Sequence, residues 1–104
     1  MGFIEKRQAM SIGEQLANIG SEVSRSLKAK KNGQNELMLE SYQRMLDLYG
    51  LTQSSRYIPA YRKKEIVRSK EIAMDYIIWD NRYKSTRKKL LGYYDFFASS
   101  CNNK

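Results

Sequence analysis

Apolar positions recur along this chain at helical spacings and not with the alternation of a strand. Ile12, Leu16, Ile19, Val23 and Leu27 follow at steps of four, three, four and four, which predicts a helix with one apolar face. Ser11 stands before it as an N-cap, with Glu14 at the spacing of a capping box. Lys28, Lys30 and Lys31 fall in the last turn, where the helix dipole favours cations, and Gly33 suits the stop. Beside the apolar stripe run Gly13, Ala17, Gly20 and Ser24. Each glycine costs a helix about 1 kcal/mol against alanine, so this edge predicts a neighbouring helix packed close upon it.

A second helix is predicted over residues 35–49, with Met38, Leu39, Tyr42, Met45, Leu46 and Tyr49 on one face and Gly50 as its end. The polar run Gln53-Ser54-Ser55 breaks the pattern. A third helix, about 57–79, has Pro59 near its start, where a missing N–H does no harm. Ile58, Tyr61, Ile66, Ile72, Ala73, Tyr76, Ile77 and Trp79 crowd one broad face, while Val67, Met74 and Ile78 lie opposite. A helix apolar on two sides is expected at the centre of a bundle or in an interface. Asp80–Ser85 reads as a turn, with Ser85 the N-cap of a last helix, about 86–99, that aligns Leu90, Tyr93, Tyr94, Phe97 and Cys101. The tail from Asn102 to Lys104 is expected to fray. The expected fold is all-α: one domain over residues 1–104, an antiparallel four-helix bundle, up-down-up-down, with short loops.

Two stretches carry a resemblance: Ile12-Gly13-Glu14-Gln15-Leu16-Ala17-Asn18-Ile19-Gly20-Ser21-Glu22-Val23, and Asp80-Asn81-Arg82-Tyr83-Lys84-Ser85-Thr86 followed by Leu90 and Tyr94. Together with Leu46-Asp47-Leu48 they resemble a group of small prokaryotic helical proteins that have no assigned activity. The resemblance implies a bacterial or archaeal source and transfers no catalytic role.

Composition narrows the function classes. At 41% hydrophobic and 29% charged residues the chain is expected to fold rather than remain disordered. No apolar run approaches the length of a membrane span, and no leader-like block opens the sequence, so a cytoplasmic protein is expected. The single cysteine, Cys101, fits a reducing compartment and reads as a structural thiol. The absence of histidine removes the commonest acid–base residue and metal ligand. It also excludes the Arg-plus-His motif of HEPN-type ribonucleases and the Glu-x-x-His pairs of di-iron bundles. Glu36 and Glu40 read as a solvated pair, and no glycine-rich loop has a phosphate-cradling spacing. No catalytic residue, cofactor or metal is expected.

Charge is the feature above background. The net charge is +8, with eleven Lys/Arg against four Asp/Glu between residues 56 and 89. In an up-down-up-down bundle, one pole collects Lys28, Lys30, Lys31, Arg82, Lys84, Arg87, Lys88 and Lys89. The other holds Lys6, Arg7, Arg56, Arg62, Lys63 and Lys64. Tyr57, Tyr61 and Tyr83 lie among these cations, where an aromatic face could stack on a base. Two functions are expected, in this order. The first is a protein-interaction module that self-associates as a homodimer through Val67, Met74 and Ile78. The second is nucleic-acid binding, RNA or DNA, at the eight-cation pole.

Overall fold

The computed structural model describes the backbone of residues 11–56 and 58–102, and side chains as far as residue 96. Lys6, Arg7, Tyr57, the tail beyond Asn102 and the side chains of Phe97 and Cys101 therefore lie outside the described residues.

Ser11 opens α1 (Ile12–Lys31): its hydroxyl oxygen accepts the Glu14 N–H at 3.2 Å and donates to the Glu14 carboxylate at 3.2 Å. At the far end Gly33, with φ at 71°, donates to the Lys30 carbonyl, and the Gln34 N–H turns back to Ala29. That closure needs a left-handed residue, which glycine supplies without a Cβ clash. Next come α2 (Asn35–Gln53), α3 (Ala60–Ile77) and α4 (Arg87–Asn102), and no strand occurs among the described residues.

Three boundaries differ from expectation. Gly50 does not end α2. The helix runs another turn because Thr52 is buried and donates to Gln15 Oε1 at 2.9 Å, a tertiary partner that outweighs the propensity of one glycine. α3 starts after Pro59 and stops at Ile77, short of Trp79. At the start of α4 the capping side chain is Thr86, not Ser85, and its hydroxyl accepts the Lys89 N–H at 3.1 Å.

The bundle is antiparallel, as cross-helix bonds demonstrate. Gln15 at the start of α1 meets Thr52 at the end of α2, and Ser26 near the end of α1 donates to the Met38 carbonyl near the start of α2. Lys30 then joins the ends of α1 and α3, donating to the Ile77 carbonyl at 2.6 Å. The loops are short, so the order up-down-up-down follows.

The centre, however, is α1 rather than α3. α1 packs extensively against both α2 and α4 and also touches α3, whereas α3 rests lightly on its neighbours. The small-residue edge decides this. At Gly20 the Tyr94 side chain lies so close that an added Cβ would stand 2.6 Å from its Cβ. α4 thus covers one flank of α1, and on the other flank, against α2, Gln15, Glu22 and Ser26 are buried as well. Glu22 is compensated by Arg44 at 3.0 Å and Arg25 at 3.1 Å.

Leu16, Ile19, Val23, Met45, Ile66, Ala73, Ile77 and Leu90 form the core, and a line of hydroxyls runs through it. Tyr94 Oη is 2.7 Å from Tyr49 Oη, which is 2.8 Å from Ser69 Oγ, and Ser69 donates to the Ile66 carbonyl at 2.8 Å. This line joins α2, α3 and α4. Burial pushes the Tyr49 phenol up to about 12 and raises that of Tyr94 well above its ordinary value. Burial also raises Tyr93, which meets Tyr94 edge to face at 5.3 Å.

Three aromatic or aliphatic side chains assigned to apolar faces point outward instead. Leu39 is 53% exposed, Tyr61 67% and Trp79 65%. Trp79 lies past the end of α3, so helical periodicity no longer governs it; Tyr61 is in the first turn, next to the Arg62 guanidinium at 5.9 Å.

Candidate nucleic-acid interface

The end of α3 is held from two sides. Lys30 Nζ reaches the Ile77 carbonyl at 2.6 Å and the Tyr76 carbonyl at 3.5 Å, a cation at the negative end of a helix. Asp75, buried although it is on the side of α3 away from the core, folds the following loop onto the helix. Its two carboxylate oxygens accept the Arg82 and Tyr83 N–H groups at 2.9 and 3.0 Å. Asn81 completes the turn: its side chain accepts the Ser85 N–H at 2.9 Å and donates to the Ser85 carbonyl at 3.0 Å. Asn81 and Lys84 both take positive φ, 53° and 52°. Asparagine tolerates that region, while Lys84 pays a strain of about 1 kcal/mol.

With the loop pinned, a hollow of about 650 Å³ is left between the ends of α1 and α3 and the start of α4. Lys30, Lys31 and Arg87 line it, together with Tyr76, Trp79 and Asp80. Of the eight predicted cations, then, three converge on one concavity. Lys28, Arg82, Lys84 and Lys88 are exposed around this pole, and Lys89 faces a different groove, between α3 and α4. Apart from Lys30 with its two carbonyls, none of these cations has an ion-pair or hydrogen-bond partner on its side chain among the described residues. The N-terminus of α4, itself partly positive, adds to the field.

The opposite pole is different. Arg62 pairs with Glu65 at 3.7 Å and lies over the Tyr61 ring, so part of its charge is already answered. Back at the first pole, Tyr83 donates to Glu71 at 3.2 Å from the outer side of the loop.

Comparison with known proteins finds no family model, no curated protein and no solved structure that matches this chain. The site therefore has to be read from its own geometry.

Sequence reasoning found the cations but missed Trp79, which the periodicity placed on the packed face of α3. The signal available was its position against Asp80-Asn81, where the helix has to stop. Asp75 was missed too, since nothing in a linear pattern distinguishes a helical carboxylate that binds loop amides from a solvated one. The predicted interface residues are placed on the other flank of α3. Val67 and Ile78 are each 37% exposed, and Met74 is half-buried against the core. Among the described residues no helix is long and apolar enough to cross a membrane, and no three Cys, Asp or Glu side chains gather as a metal site requires.

Proposed function

We propose that this chain binds single-stranded nucleic acid at the pole formed by the ends of α1 and α3 and the start of α4. The observation that carries the reading is Trp79: a large aromatic ring, 65% exposed, on the rim of a hollow lined by Lys30, Lys31 and Arg87. Unpaired bases stack on such a ring at about 1–3 kcal/mol per base, and cations beside it neutralise the phosphates. A duplex hides its base faces and gains only the charge. A cytoplasmic location goes with this reading.

Trp79 is the chain's only tryptophan, so its fluorescence reports the site directly. A short single-stranded oligonucleotide is expected to quench it and to bind more tightly than the matching duplex. Affinity should fall with salt at a log–log slope of about −0.7 per phosphate neutralised. Trp79→Ala should weaken binding by about 1–3 kcal/mol, and Lys31→Glu with Arg87→Glu should weaken it for every sequence alike. Binding that leaves the tryptophan signal unchanged, or that ignores salt, would sink the proposal.

Self-association is the second reading, favoured by the outward Val67 and Ile78 on one flank of α3. A stable dimer buries about 800 Å² per partner, more than these two side chains supply, so the contact has to take in more of the surrounding surface. Ile78→Lys is expected to convert a dimer to monomer in sedimentation. A wild-type chain that already sediments as a monomer removes this reading.

A further inference from the structure

α3 stands off from α4, and the gap between them is a groove of about 390 Å³. That volume falls within the range of small-molecule sites, about 300–1,000 Å³. Its walls are apolar, contributed by Ile72 of α3 and by Leu90 and Tyr93 of α4. Two cations, Arg68 on α3 and Lys89 on α4, also line it. Neither has a carboxylate within ion-pair distance among the described residues, and the one acidic residue in the lining, Glu65, is paired with Arg62. An apolar trough with an unanswered guanidinium in its lining is complementary to a molecule with a hydrocarbon tail and a single anionic head.

We infer that this groove binds a single-chain amphipathic carboxylate, the tail lying along Ile72, Leu90 and Tyr93 and the head at Arg68. The site is separate from the Trp79 hollow, so the binding of nucleic acid and the binding of a carboxylate succeed or fail independently. No bond is made or broken; the reaction is reversible association. Affinity is set by the length of tail that the groove removes from water. Each methylene that enters is worth about fourfold in affinity.

The test is titration of the full chain with laurate below its micelle concentration, followed by methyl NMR. The Ile72 and Leu90 methyls are expected to shift saturably, while those of Leu16 and Val23 in the core stay still. Decanoate, two methylenes shorter, should bind about fifteenfold more weakly. Arg68→Glu should weaken laurate by about fivefold and leave dodecanol, which has the same tail without the charge, unaffected. Because Arg68 is exposed, this variant is expected to fold as the parent does. The inference is overturned if laurate produces no saturable shift, if the shifts are confined to the exposed Leu37 and Leu39, or if dodecanol binds as tightly as laurate. It is also overturned if an oligonucleotide displaces laurate, which would make the groove part of the nucleic-acid surface.

Discussion

Among the helical glycines, Gly20, Gly50 and Gly92 differ in what surrounds them. A Cβ at Gly20 would meet Tyr94 at 2.6 and 2.9 Å, and those atoms are the root of a buried side chain that has nowhere to move. At Gly50 and Gly92 an added Cβ meets nothing within 4 Å. Gly20→Ala is therefore expected to destabilise the fold by about 1–3 kcal/mol of overpacking, against which a gain in helix propensity of about 1 kcal/mol is the smaller effect. Gly50→Ala and Gly92→Ala are expected to stabilise it by about 0.5–1 kcal/mol. Urea denaturation of the three variants decides whether close approach or mere chance put glycine in α1. The stripe Gly13, Ala17, Gly20 and Ser24 was legible in the sequence as an edge for close packing. That Tyr94 is the residue resting on it was not, because the pairing of residues from opposite ends of the chain leaves no trace in local spacing.

At the scale of elements, the helices declared themselves wherever a stripe and a cap coincided. α1 has both, and its limits were read to within a residue. α2 and α3 lack a capping side chain at their starts; the start of α2 was nevertheless read at Asn35, whereas its end was set four residues short and the start of α3 three residues early. The loop after α3 was read as a turn from Asp80 onward, yet the group that organises it is Asp75, inside the helix. Asp75→Asn keeps the shape but loses the charge and offers one carbonyl oxygen where two carboxylate oxygens accept. A loss of about 1–2 kcal/mol in denaturant stability is expected. The loop carrying Arg82 and Lys84 should loosen, and the tryptophan emission beside it should change in the same variant. An unchanged stability together with unchanged emission would show that the loop holds its place without the carboxylate.

For the whole molecule, the line of phenols ties stability to alkaline pH. An unfolded tyrosine titrates near 10, while burial raises Tyr49 to about 12 and holds Tyr94 well above its ordinary value. The folded state thus keeps its protons where the unfolded state releases them. For Tyr49 the contribution is present in full below pH 10 and is lost as the pH rises from 10 through about 12, at up to about 1.4 kcal/mol per pH unit, and Tyr94 acts in the same direction. Urea midpoints measured across that window should fall steeply, and Tyr49→Phe should flatten the fall. A flat profile would mean that the phenols reach water in the folded chain. The bundle class was legible in the sequence, but its centre was not: two apolar stripes on α3 argued for the middle, whereas a run of small residues on α1 settled it.

The contact between Gly20 and Tyr94 also has a consequence for how the chain is made. α1 leaves the ribosome ahead of α2, α3 and α4 and finds α2 immediately behind it, joined by a three-residue turn. Its other flank stays bare until Tyr94 arrives, 74 positions after Gly20. Closing so long a loop is an entropic penalty that the local α1–α2 pairing never meets. Any chain that terminates before α4 therefore keeps its small-residue edge open to whatever helix is nearest.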